Sequence, residues 1–226
     1  MTAAKHFESD VLPTSVGEVT ITFLGHGSLL LEWKGKQIYV DPYGEVADYS
    51  RLPKADYVLI SHEHFDHCDT GSLAKVRTPE TKIVMAPVCK QKVEGGIVMA
   101  NGDERTVDDM HIKAIPAYNI VHKRDNGQPF HPQGVGNGYI VTFGDTSIYF
   151  AGDTENIPEM KKLQDIDYAF LPMNLPYTMT PEMVADAARA FRPRVLYPYH
   201  YGSTDTNQLV ELLRGEDIEV RIRPLA

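Results

Sequence analysis

Ser61-His62-Glu63-His64-Phe65-Asp66-His67 is the stretch on which the reading of this chain turns. The protein has 9 histidines in 226 residues, and three of them fall inside this short string. It follows Tyr57 to Ile60, an almost wholly apolar run of the kind expected of a strand covered on both faces, so the polar string begins where a buried strand ends. In an extended segment alternate side chains point the same way, which lets His62 and His64 reach one metal ion. Asp66 and His67 come after a bend and can address a second ion beside it. Imidazole and carboxylate donors suit zinc, iron or manganese, and the lack of a thiolate-rich set argues against a closed structural zinc site. A solvated loop whose histidines cap nearby backbone accounts for a lone His-x-His pair, but poorly for the full string.

Outward from this point the chain reads as strands. Val19, Ile21 and Phe23 alternate with threonines, and Ser28 to Trp33 and Gln37 to Val40 follow after short glycine turns, which is a meander. Lys82 to Ala86 is a second buried strand, and Ile97 to Ala100, Glu104 to Val107 and His111 to Ile115 continue the β content. The second half repeats the plan. Tyr139 to Phe143 and Ser147 to Phe150 flank Gly144-Asp145 as a hairpin, and Tyr168 to Leu171 and Val195 to Tyr199 read as buried strands. Thr180-Pro181 starts a helix that carries Val184, Ala187, Ala188 and Phe191 and stops at Arg192-Pro193. Leu209, Leu212 and Leu213 mark a last helix. Two similar halves of this kind predict an α/β fold with two sheets packed face to face and helices outside. Residues 1–16 read as a polar leader and residues 17–226 as a single domain.

Composition narrows the function. Asp plus Glu number 31 against 22 Lys plus Arg, a formal charge of −9, so a nucleic-acid backbone is repelled on average. No apolar run approaches the ~20 residues that span a bilayer. Two cysteines, Cys68 and Cys89, make no disulfide framework. Met1 to His6 lacks the apolar centre of a signal peptide, so the chain as it stands reads as cytoplasmic, or as secreted or periplasmic if such a segment was removed. The expected partner is a small molecule; a homo-oligomer is compatible with this reading.

The His-x-His-x-Asp-His string resembles the signature of the metallo-β-lactamase superfamily. Supporting matches run in the family's order: Thr22-Phe23-Leu24-Gly25-His26-Gly27, Val40-Asp41-Pro42, Ala151-Gly152-Asp153-Thr154 and Pro198-Tyr199-His200-Tyr201. Within the family the chain looks most like the branch of ascorbate-6-phosphate lactonase and related metal-dependent hydrolases, with a more distant likeness to N-acyl-phosphatidylethanolamine phospholipase D. The resemblance implies a four-layer αββα sandwich of two mixed sheets.

It also implies two divalent cations, zinc first and manganese or iron as alternatives. His62 and His64 would bind the first, Asp66, His67 and His200 the second, and Asp153 would bridge them. Many members carry a histidine after a Pro-Ala-x strand end, whereas here Asn119 follows Pro116-Ala117-Tyr118, and an amide is a poor zinc ligand. His131, in Phe130-His131-Pro132-Gln133-Gly134, is the favoured replacement, with His122 the other candidate. Asp41 is placed to hold a ligand histidine's second nitrogen, or simply to form an Asp-Pro turn. His26 is expected to line the pocket, with Asn174, Tyr177 and Met179 in its wall. Cys68 reads as a buried inert thiol.

The implied chemistry is hydrolysis of a small ester, lactone or phosphodiester by hydroxide held between the cations, with Asp66 and Asp153 as the catalytic carboxylates. A single-iron sulfur dioxygenase, or a non-catalytic metal-binding module, would use the same scaffold. A flavin-linked diiron oxygen reductase would typically carry Glu at the position of His64.

Overall fold

The computed structural model describes residues 6–226. The alternating run forms β2 (Val19–Gly25), which pairs antiparallel with β1 (Ser9–Leu12) and β3 (Ser28–Trp33), and β4 (Lys36–Val40) completes the meander. β5 (Tyr57–Ile60), β6 (Lys82–Met85) and β7 (Ile97–Val98) then add in parallel, giving a seven-stranded sheet in sequence order. Parallel neighbours need a crossover, and α1 (Thr70–Val76) lies between β5 and β6. The sequence reading placed no helix there, because only Leu73 and Val76 mark a stripe along this short segment. Its start is set locally: Asp69 accepts from the N–H groups of Gly71 at 2.8 Å and Ser72 at 3.2 Å.

The second sheet repeats the design. β8 (Glu104–Val107), β9 (Met110–Ala117), β10 (Gly136–Phe143) and β11 (Thr146–Phe150) are antiparallel, and β12 (Tyr168–Pro172), β13 (Val195–Tyr199) and β14 (Glu219–Val220) add in parallel. α2 (Pro181–Phe191) links β12 to β13, and α3 (Asn207–Leu212) follows β13. The Oγ1 of Thr180 accepts from the Met183 N–H at 3.2 Å, and Arg192 closes α2 in the left-handed region at φ 47°.

Three apolar layers explain the stacking. Between the sheets, Phe23, Leu31 and Val40 meet Val141, Phe150 and Phe170. On the outer face of the first sheet Tyr39, Val58 and Ile60 share a cluster with Leu73 and Val76 of α1, and beyond the second sheet Tyr149, Ala169 and Leu196 are covered by Val184, Ala188 and Leu209. Full burial of such a side chain is worth about 1.5–3 kcal/mol, so each sheet is stabilised on both faces. The result is the expected αββα sandwich of two mixed sheets. No helix among the described residues is long and apolar enough to cross a membrane.

The expected leader needs correction. Its first five residues lie outside the described residues, but Ser9–Leu12 is an edge strand, Leu12 is fully buried and the Asp10 carboxylate is tied down. Asp10 accepts from Arg223 Nε at 3.0 Å and from the Tyr197 hydroxyl at 2.7 Å. Those partners lie 213 and 187 positions away, so nothing local announces the strand.

Candidate metal centre

The site grows from residues that follow strands. Asp41 follows β4 and its carboxylate accepts from both the backbone N–H of Ser61, at 2.8 Å, and the Ser61 hydroxyl, at 2.6 Å. The same carboxylate lies 2.8 Å from Nδ1 of His67. An acceptor there keeps the proton on Nδ1 and turns the Nε2 lone pair inward. Since the Ser61 hydroxyl donates to Asp41, its oxygen accepts from Nδ1 of His62, 2.9 Å away, with the same effect on that ring. Asp41 is thus more than a turn former.

Asn119 does this for His131. Its side-chain oxygen lies 2.8 Å from Nδ1 of His131, and Nε2 of that ring stands 3.2 Å from Oδ2 of Asp153. Asp153 follows β11 through Gly152, which has φ +65° and where a Cβ would lie 2.7 Å from the carbonyl oxygen of Asn137. Glycine therefore permits the turn that aims Asp153 inward. Oδ2 of Asp153 is also 3.5 Å from Nε2 of His200 and 3.9 Å from Nε2 of His62, and Oδ1 is 3.4 Å from Nε2 of His67. Asp66 Oδ2 lies 3.5 Å from Nε2 of His200 and 3.0 Å from Nε2 of His26.

Two groups of donors result. Atoms of His62, His64, His131 and Asp153 lie within 4.8 Å of one another, and so do atoms of His26, Asp66, His67 and His200. Asp153 contacts members of both. His26, Asp41 and His200 each occupy the left-handed backbone region, at φ 54°, 43° and 46°, an uncommon choice for non-glycine residues.

The donor set fits cations. His62 Nε2, His67 Nε2, His200 Nε2 and Asp153 Oδ1 are buried without a hydrogen-bond partner, a costly arrangement unless another group satisfies them. Electrostatics agree. Burial works against ionised Asp153, but the imidazoles of His200 and His67 outweigh it and hold the carboxyl well below its usual range. Burial, reinforced by His67, holds His62 neutral, the form in which imidazole binds metal. At His67 burial opposes charge, yet Asp153 and Asp41 raise its pKa well above that of a free imidazole. The centre attracts positive charge.

The remaining expected residues separate. Tyr177 and Asn174 line a cleft of about 480 Å³ that opens onto His26, His64, Asp66, Asp153 and His200. Met179 does not; it is fully buried in the cluster beneath α2, because it is the apolar residue just before that helix. His122 stands apart from both donor groups, with Nδ1 2.6 Å from Glu155. Cys68 is buried. Two features escaped the sequence reading. His26 comes within donor distance of the second group instead of only lining the pocket. Glu155 is a buried carboxylate that accepts from the N–H groups of Ile120, Val121 and His122 at 2.6–2.8 Å and from the Asn119 amide at 3.1 Å. Its position just after Ala151-Gly152-Asp153-Thr154 was the available signal, but its partners lie 33 to 36 residues away.

A family model described as β-lactamase superfamily domain matches residues 20–200. The chain belongs to the metallo-β-lactamase superfamily. Among superfamily relatives, a metal-dependent hydrolase of Koribacter versatilis is 32% identical, over 81% of this chain and 84% of its own. A crystal structure from Parabacteroides distasonis, of a protein described as a metal-dependent hydrolase, is 48% identical with a TM-score of 0.94, covering 98% of this chain and all of that one. Igni18, a metallo hydrolase from Ignicoccus hospitalis, is 25% identical with a TM-score of 0.75 and covers 92% of this chain and 96% of its own.

Proposed function

We propose that this chain is a divalent-metal hydrolase of small molecules that works with two cations. The observation that carries the reading is the convergence of two four-residue donor groups whose buried nitrogens and carboxylate oxygen lack other partners. Relatives described as metal-dependent hydrolases support it. His62, His64 and His131 hold one ion, and Asp66, His67 and His200 hold the other with His26 beside them. Asp153 lies between. Zinc suits this set best, and manganese or iron fit the same donors.

When bound, a cation pair supplies Lewis acidity, lowering the pKa of water and polarising a substrate oxygen. The protein's own groups do the rest. Asp41, Ser61 and Asn119 fix ring orientations, so the donors are in place before substrate arrives. The Asp66 side chain is 17% exposed and faces the cleft, so its carboxylate would be placed to accept the proton that the attacking water loses and to hand it on to the departing group. The cleft volume falls within the ~300–1,000 Å³ of small-molecule sites, which favours a compact ester, lactone or phosphodiester. Lactones belong in the panel because the motifs resemble those of the ascorbate-6-phosphate lactonase branch.

Metal-loaded protein should hydrolyse at least one of a set of 4-nitrophenyl esters, simple lactones and bis(4-nitrophenyl) phosphate, and a chelator should abolish the turnover. Protein that retains zinc or manganese yet cleaves none of them overturns the proposal.

A further inference from the structure

Large apolar side chains stand exposed at the cleft. Phe65 is 69% and Tyr177 46% exposed, and both line it. Apolar surface gathered at one place marks a site of interaction. Phe130, half-buried, meets Tyr177 edge-on, with ring centroids 5.1 Å apart, and the two form one aromatic wall. The residue after Phe130 is the donor His131, so the wall adjoins the metal centre directly.

A cation sits on that wall. Among the described residues Arg124 is the only lysine or arginine that lines the cleft. It is positioned by its backbone: its N–H donates to the Gln128 carbonyl at 2.8 Å, its carbonyl accepts from Gly127 at 2.8 Å, and Lys123 bridges to Pro129. Its guanidinium lies 5.0 Å from the centroid of the Phe130 ring and donates to the Phe130 carbonyl at 3.3 Å. That bond uses a single N–H. Among the described residues Arg124 forms no ion pair with a carboxylate, although Asp125 is its immediate neighbour in sequence. A guanidinium presents five donors in a fork suited to an oxyanion, and here most of the fork is free and turned towards a cleft with aromatic walls.

We infer that Arg124, Phe130 and Tyr177 form a substrate subsite that selects an oxyanion attached to an apolar body. This rests on the proposed hydrolase reading and adds the substrate class: the apolar part lies on the Phe130–Tyr177 wall, the anionic group pairs with Arg124, and the scissile bond reaches the donors beyond His131. Neutral, wholly polar molecules such as free sugars are poor occupants of such a wall. The oxyanion can be a carboxylate or a phosphate, which share the geometry that Arg124 recognises.

Equilibrium binding tests this without any turnover, so its result is independent of whether a given ester is cleaved. Phenylphosphonate, phenylacetate and inorganic phosphate are titrated calorimetrically into zinc-loaded wild type, Arg124→Ala, Arg124→Lys and Tyr177→Ala, each with its zinc content and Tm measured. Zinc contributes to anion binding in all four proteins, so differences between them report the wall. Arg124→Ala should weaken phenylphosphonate roughly tenfold or more, and Arg124→Lys should restore part of it. Tyr177→Ala should weaken phenylphosphonate but leave inorganic phosphate unchanged. A phenylacetate affinity that falls in parallel assigns carboxylates to the subsite as well, and one indifferent to Arg124 restricts it to phosphate-type groups. Affinities within twofold of wild type in Arg124→Ala at equal zinc content, no gain from the phenyl ring over inorganic phosphate, or no binding to wild type would each overturn the inference.

Discussion

The side-chain oxygen of Asn119 stands 2.8 Å from both the backbone nitrogen and Nδ1 of His131. An amide stands where the family resemblance led us to expect a histidine, and it supports a histidine supplied by a later loop. Removal of such a support costs metal affinity about 10–100-fold in other metal sites. Asn119→Ala should therefore weaken binding of one equivalent of zinc by about tenfold or more in competition with a chromophoric chelator. His131→Ala should remove that equivalent altogether, whereas His122→Ala should leave the stoichiometry at wild type. Equal losses in the two histidine variants would exclude His131 as a ligand.

Glu155 has the same logic one layer further out. Its carboxylate gathers three successive backbone N–H groups, the His122 ring and the Asn119 amide. Glu155→Ala leaves those donors unsatisfied, and we expect a loss of ~2 kcal/mol or more in urea unfolding. Glu155→Gln should lose less, since an amide oxygen still accepts. A change below ~0.5 kcal/mol in the alanine variant would mean that water replaces the carboxylate at little cost.

Metal should stabilise the fold. Donor atoms that lack partners gain them only in the folded, loaded state, so stability rises with ion concentration, by ~4 kcal/mol at a thousand times Kd. Thermal unfolding with and without zinc should show this rise, and His62→Ala should reduce it. A Tm independent of zinc in wild type would contradict the donor assignment.

Acid sensitivity should have a contribution far from the centre. Burial opposes ionisation of Asp10, but the Tyr197 hydroxyl and Arg223 outweigh it and hold the carboxyl below its usual range. The folded-state pKa then lies below the unfolded value of about 3.9. The stabilisation is therefore fully present above that value and is lost as pH falls through the folded pKa. Asp10→Asn should cost about 1 kcal/mol at pH 7, given partial solvent screening. The gap to wild type in urea midpoint should narrow as pH falls below the unfolded value, and a gap independent of pH would assign the loss to packing.

Much of the design was legible along the chain because its signals are local. β5 reads as a covered strand from four apolar residues, α2 from Thr180-Pro181 and its helical stripe, and the polar string from its own spacing. α1 and β1 were not legible, since Leu73 with Val76, and Val11 with Leu12, are patterns too short to stand out. Both elements are held by partners that are distant or that form only once the sheet exists.

The sequence by itself determined where the histidine-rich string starts, which strand ends present Asp41, Asp153 and His200, and that two similar halves would pack as sheets. Alternation and ligand spacing operate over a few residues and survive in a linear reading. Only the tertiary structure decided that His131 instead of His122 reaches Asp153, that His26 joins Asp66, that Glu155 holds the loop of Ile120, Val121 and His122, and that Arg124 lies on an aromatic wall. Each of these depends on segments tens of residues apart meeting where both sheets end, and such meetings are set by packing of the sandwich and not by neighbours in the chain.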